Sequence, residues 1–391
     1  MRQVAIVGTG QTKFQHRYLD LTFHELIFAA VQRALADAHA TIEDVQAVIF
    51  PMAPDALIGV SHAEWWVADA VGALGKPLLR VNEGGVTGLS AVQIAYDLIA
   101  SGRYDVVLVA GADRVGESGD AQQILNRMWD PFFERPLSLS AITMLAMQAV
   151  RFMEKYSATE EDFARVAVKA HRNGVKNPYA HIQKEVTLEE VLSSRMVCYP
   201  IKVFDSCPQS SGGAALLVCG GEYVDRFTDK PAWIRGLGNC SETYWIGDRM
   251  GPAAEADHGE SPALEEAARQ AYTMAGITAT DIDVAELYAP FSCSELHAIQ
   301  DVGLCRKGEV IRLMKEGVFD REGMIPVNPS GGVLCANPIS VTSMVRVIEA
   351  ALQVQGRAGD HQVARARHAL ATGNGGDHEY FGAVVVSEEP A

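Results

Sequence analysis

Val81-Asn82-Glu83-Gly84-Gly85-Val86-Thr87-Gly88 runs straight into Leu89-Ser90-Ala91-Val92-Gln93-Ile94-Ala95-Tyr96, an apolar stretch with helical spacing. A glycine pair before a helix start leaves backbone N–H groups unpaired and pointing outward, a setting suited to an oxyanion or a phosphate. Gly85 offers an amide there and no side chain, and no cysteine occurs before Cys198. A tight turn that needs close packing would use the same glycines. Beyond the helix, 104–111 reads as a strong buried strand. Upstream, 4–8 and 45–50 are short apolar strands, and 22–39 has helical spacing with Leu26, Ala29, Ala30, Ala34 and Ala38 on one face. Strands alternating with helices predict an α/β fold with a parallel, helix-covered sheet.

Residues from about 114 to 235 are more polar and place Trp129, Pro131, Phe132 and Phe133 in a loop-like context; they read as a long insertion. The second half returns to the first pattern. Residues 263–275 form a helix, 283–288 a strand, 339–354 a helix opened by Asn337-Pro338, and 368–372 and 382–386 strands. The glycine turn, helix and strand of 84–111 are echoed at 331–372, a two-copy pseudo-repeat. The expected division is an N-terminal half at 1–235, containing the insertion at 114–235, and a C-terminal half at 236–391.

The 391 residues are 48% hydrophobic and 21% charged, as in an ordinary soluble enzyme. No apolar run is long enough to span a membrane, and the first ten residues read as a strand, not a signal peptide. The expected location is cytoplasmic. Seven cysteines, an odd number without a CxxC pair, argue against a disulfide framework and a zinc site. The net charge of −16 argues against nucleic acid as a partner.

Four segments together resemble the thiolase superfamily, in particular the branch related to the thiolase domain of sterol carrier protein 2. They are Arg80 to Gly88 with Gly111-Ala112-Asp113-Arg114; Lys169-Ala170-His171-Arg172-Asn173 with Asn177-Pro178-Tyr179-Ala180; Glu286-Leu287-Tyr288-Ala289-Pro290-Phe291 with Gly303 to Glu309; and Val327-Asn328-Pro329-Ser330-Gly331-Gly332 through Asn337-Pro338 to Gly373-Asn374-Gly375-Gly376. Each is weak alone, and their order is specific. The resemblance implies a thiolase fold of five layers, α-β-α-β-α, with two pseudo-symmetric halves. It also implies a homodimer joined through residues near 87–110 and a coenzyme A thioester as substrate, with no covalently bound cofactor and no metal.

The chain departs from the family where the chemistry sits. Gly85 matches the position of the nucleophilic cysteine, so the amide is kept and the thiol is gone. Tyr288 matches a histidine of the sterol-carrier branch. It resembles the tyrosine that cysteine-less thiolase-fold aldolases of steroid side-chain degradation carry there. A phenol there can exchange a proton with the substrate or simply fill a core rim. Asn337 matches a histidine and can donate an amide to a thioester oxygen or cap the following helix. Gly376 lies in the loop where the second cysteine is missing, and Asp377 and His378 are its nearest ionisable groups. Tyr244 resembles a further tyrosine of the same aldolases, and Asp257-His258 carries a weaker claim.

Lys169, His171 and Arg172 lie where the family covers coenzyme A, and are candidates for its phosphates or for a solvated helix face. Ser330, Gly331 and Gly376 join them as candidate binding residues. Cys207 and Cys335 are substitute-nucleophile candidates; a free cysteine is more often a buried small hydrophobe.

These features lead to a retro-aldol lyase acting on a β-hydroxyacyl-CoA through a thioester enolate. A thiolase or acyltransferase with a non-standard nucleophile, or a non-catalytic acyl-CoA-binding subunit, are the alternatives. The resemblance further implies a small zinc-ribbon and OB-fold partner of the DUF35 type.

Overall fold

The computed structural model describes residues 2–52, 54–137, 139–249, 257–376 and 379–390. Nine strands form one sheet: β1 (Val4–Gln11), β2 (Ala47–Pro51), β3 (Leu78–Val81), β4 (Val106–Arg114), β5 (Ser211–Gly220), β6 (Ala232–Ser241), β7 (Val284–Glu286), β8 (His368–Gly375) and β9 (Tyr380–Ser387). Their order across the sheet is β3-β2-β4-β5-β1-β6-β9-β8-β7.

The pairing repeats about the β1–β6 contact, which is antiparallel. On one side β1, β5 and β4 pair antiparallel, then β4, β2 and β3 parallel. On the other, β6, β9 and β8 pair antiparallel, then β8 and β7 parallel, with Val327 bridging Ala285 where a fifth strand would lie. The sheet is therefore mixed and not parallel throughout as expected. The reason is β5: it follows the long polar stretch and enters antiparallel between β1 and β4. That stretch accordingly stops short of 235, and the expected boundary at 235/236 falls inside β6.

The helices that matter are α1 (Phe23–Asp37), α2 (Thr87–Ala100), α3 (Ala141–Tyr156), α4 (Glu160–Gly174), α5 (Pro262–Ala275), α6 (Ser292–Asp301) and α7 (Ile339–Val354). Thr22 starts α1 with a capping box: its hydroxyl accepts the Glu25 N–H and the Glu25 carboxylate accepts the Thr22 N–H. α1 then lays Leu26, Ile27, Ala30 and Ala34 on the outer face of β1, β5 and β4. It comes so close that a Cβ at Gly8 or Gly10 would strike its backbone carbonyls. α5 covers β6 and β9 on the opposite outer face.

α2 and α7 pack on each other between the two halves of the sheet, and the Leu89 N–H donates to Ser343 Oγ at 3.0 Å. The layers run α1, sheet, α2 with α7, sheet, α5. The segment 87–110, expected at a subunit interface, lies in this interior and is largely buried. The exposed edge of the N-terminal half is β3 instead.

Candidate active site

α2 and α7 both start at one cavity of about 190 Å³. At the α2 end, Gly84 has φ +63°, and Thr87 Oγ1 donates to the Gly84 carbonyl at 2.6 Å and accepts the Glu83 N–H at 2.7 Å. These bonds hold Gly84 and Gly85 in the cavity wall. At the α7 end stand Asn337 and Ile339. The rest of the wall comes from 206–209, from Tyr288, Pro290 and Phe291, from 374–376, and from an apolar face that includes Leu125, Met128, Ile142 and Leu145. Among the described residues of this wall no side chain carries a formal charge at neutral pH; Tyr288 and Cys207 are the titratable ones.

Tyr288 follows β7, and its N–H donates to Thr372 Oγ1 of β8 at 2.9 Å. The side chain is 8% exposed and reaches beneath Gly85. A Cβ added at Gly85 would overlap the Tyr288 hydroxyl and the Asn374 carbonyl. The phenol thus occupies the space that any side chain at 85 would need. Sequence reading singled out both residues and did not foresee that they touch.

Asn337 is held on three sides. Its N–H donates to Ser210 Oγ at 3.0 Å, its Oδ1 accepts from Thr342 Oγ1 at 2.9 Å, and its Nδ2 lies 3.1 Å from the Cys207 sulfur. It makes no side-chain cap to the α7 backbone, so that expectation is not met. Burial raises the Cys207 thiol to about 11, against the lowering effect of Asn337, so the group stays protonated near neutrality. Cys335 is buried away from the cavity with its thiol 3.3 Å from the Ala170 carbonyl, and burial raises it to about 12. Neither is placed as an activated nucleophile.

Other candidates take structural places. The Tyr244 hydroxyl donates to the Met128 carbonyl at 2.9 Å from an exposed position, behind the cavity wall rather than in it. Lys169 is buried in an ion pair with Glu295 at 2.6 Å and donates to the Val327 carbonyl at 2.7 Å. His171 is buried with Nδ1 2.9 Å from the Lys184 carbonyl, and desolvation lowers its proton affinity. Both side chains are buried away from solvent. Arg172 is exposed and pairs with Asp320 at 3.0 Å.

Ser330 is buried against Glu286, whose carboxylate accepts its hydroxyl at 2.7 Å and its N–H at 3.1 Å, while Arg346 closes the cluster on both. Gly331, at φ +91°, packs on the Gly174 backbone. Both support the fold beside the site. Gly376 does line the cavity. Asp377 and His378 lie outside the described residues. Asp257 is held well below the carboxylate range by Arg151, against some desolvation, and His258 is buried and lowered to about 4 by desolvation. Asn374 lies in the glycine-rich segment 373–376 that carries the resemblance, but was not itself singled out as a site residue; that it lines the cavity depends on how β8 meets the turn before α2.

Among the described residues no cluster of His, Cys, Asp and Glu is arranged to hold a metal, and no helix is long and apolar enough to cross a membrane.

Comparison with known proteins agrees with this architecture. Residues 4–191 match the family described as thiolase, N-terminal domain, and 251–388 match thiolase C-terminal domain-like. The chain is 32% identical over 378 residues to an acetyl-CoA acetyltransferase of Methanothermobacter thermautotrophicus, covering 96% of this chain and 97% of that one. It is 31% identical to sterol carrier protein 2 of Bos taurus, over 98% of this chain and 72% of the relative. Among solved structures it is similar to the Ltp2-ChsH2(DUF35) aldolase, with a TM-score of 0.85 and 27% identity over 99% of this chain and 98% of that one. The chain belongs to the thiolase family and has the thiolase fold.

Proposed function

We propose that this protein is an acyl-CoA carbon–carbon lyase that cleaves a β-hydroxyacyl-CoA by a retro-aldol step. One observation carries the reading: the Tyr288 hydroxyl fills the space a side chain at Gly85 would need, in a cavity with no activated thiol. An enzyme that forms an acyl-cysteine has no use for that arrangement. A retro-aldol needs a group to take the β-hydroxyl proton and donors for the enolate oxygen. Tyr288 serves the first need. The Gly85 amide, at the start of α2, and Asn337 serve the second.

The substrate is a coenzyme A thioester, and the apolar wall from Leu125 to Leu145 receives its acyl group. Likeness to the Ltp2-ChsH2(DUF35) aldolase supports a DUF35-type partner, and the length of apolar wall fits the bulky, steroid-type acyl group that the resemblance to the steroid side-chain aldolases implies. Lys169 and His171 are buried and Arg172 is paired, so a partner that completes nucleotide binding fits this chain. We further propose a cytoplasmic homodimer with a second copy against the β3 edge.

The test is to incubate the protein, with and without such a partner, with β-hydroxyacyl-CoA substrates of increasing bulk and to assay for carbonyl product. Aldehyde or ketone release that Tyr288→Phe abolishes supports the reading. Free coenzyme A consumed in a thiolysis would overturn it.

A further inference from the structure

Tyr288 and Asn374 also wall a second space of about 10 Å³. Its other walls include Ser261, Ser294, His297 and Thr372. A space of roughly this size holds one water when a few polar groups surround it. His297, from α6, is 1% exposed; the Gly259 backbone acts on its ring, but neither ring nitrogen makes a hydrogen bond of full geometry among the described residues, and the Ser294 hydroxyl, beside Cys293, makes none either. Buried polar groups left this way point to a solvent molecule that completes them. Thr372, whose Oγ1 accepts the Tyr288 N–H, adds a further polar side chain to the wall.

The surroundings of His297 define its state. Phe152 packs on its ring with centroids 4.4 Å apart, and Asp257, His258 and Glu260 act on it from the segment before α5, with Asp301 one turn further along α6. Desolvation outweighs the two carboxylates and lowers the imidazole to about 3, so it is neutral with one nitrogen free to accept.

We propose that this space holds one ordered water, and that through it the neutral imidazole of His297 accepts a hydrogen bond that holds the Tyr288 phenol in place. The proposal rests on the retro-aldol reading. The β-hydroxyl proton goes to the Tyr288 oxygen as that oxygen gives up its own proton to the enolate carbon. The electron pair of the breaking C–C bond enters the thioester enolate. The water and His297 keep the phenol aligned for both transfers and stay neutral throughout. No proton is gained or lost overall.

The test combines a high-resolution crystal structure with kinetics. Wild-type crystals should show a water within hydrogen-bond distance of His297, absent in His297→Phe. With the fold verified by thermal unfolding, His297→Phe and His297→Asn should each lower kcat roughly 10²-fold with KM unchanged. Combined with Tyr288→Phe, neither should slow the reaction further, because His297 acts through the Tyr288 hydroxyl. A dry space, or losses that multiply in the double variants, would overturn the proposal. A water in place in a protein that cleaves no β-hydroxyacyl-CoA would instead remove the retro-aldol reading and leave the water site standing.

Discussion

Gly85 and Tyr288 form one unit at the residue scale. Gly85→Ala should destabilise the fold by about 1–3 kcal/mol, as overpacking does, because the new methyl meets the phenol and the Asn374 carbonyl; urea unfolding measures this. Gly85→Cys should suffer the same clash and form no acyl adduct on incubation with acyl-CoA. Tyr288→Phe should keep its fold and lose about 10²–10⁴-fold in kcat. The sequence showed both residues as departures at matching positions. Their contact could not be read there, since it depends on how β7 and the turn before α2 meet in space.

At the scale of elements, the least legible piece was α6. Ser292-Cys293-Ser294-Glu295-Leu296-His297-Ala298-Ile299-Gln300-Asp301 has polar residues on every side and resembles a solvated helix, yet all ten residues are buried. α3, α4 and α5 pack around it, and Lys169 of α4 neutralises Glu295. The same burial explains why Lys169, expected on a phosphate, is committed to the interior. Lys169→Met should cost about 3–5 kcal/mol by leaving Glu295 charged and unpaired, read as a lower denaturation midpoint.

His258 beside α6 and His297 within it are lowered from 6.5 to about 4 and about 3 by desolvation. A depressed folded pKa means that the unfolded chain takes up protons the folded chain refuses. The stability these groups contribute is full above 6.5 and is lost as the pH falls toward 4 and then 3. The urea midpoint should fall between pH 7 and pH 4 by a smaller amount in His258→Asn, when each protein is compared with its own value at neutral pH.

For the whole molecule, the repeat of glycine turn, helix and strand made the architecture legible, because each copy must bury one inner helix against the other. The mixed character of the sheet was not legible, since nothing local marks β5 as a returning antiparallel strand. β3 leaves one edge open and Leu79 exposed on it. Sedimentation at micromolar concentration should show a dimer, and protection of 78–81 from hydrogen exchange should rise with concentration. A stable monomer would contradict the proposed assembly.

The most direct test follows the carbon skeleton and the protein mass in one experiment. A β-hydroxyacyl-CoA labelled on both sides of the Cα–Cβ bond is incubated with the protein, with and without a DUF35-type partner. The account predicts a labelled carbonyl compound and a labelled shortened acyl-CoA in equal amounts, with the intact protein mass unchanged throughout. A stable acyl adduct on Cys207, Cys335 or a serine, accompanied by turnover that requires free coenzyme A, would contradict it.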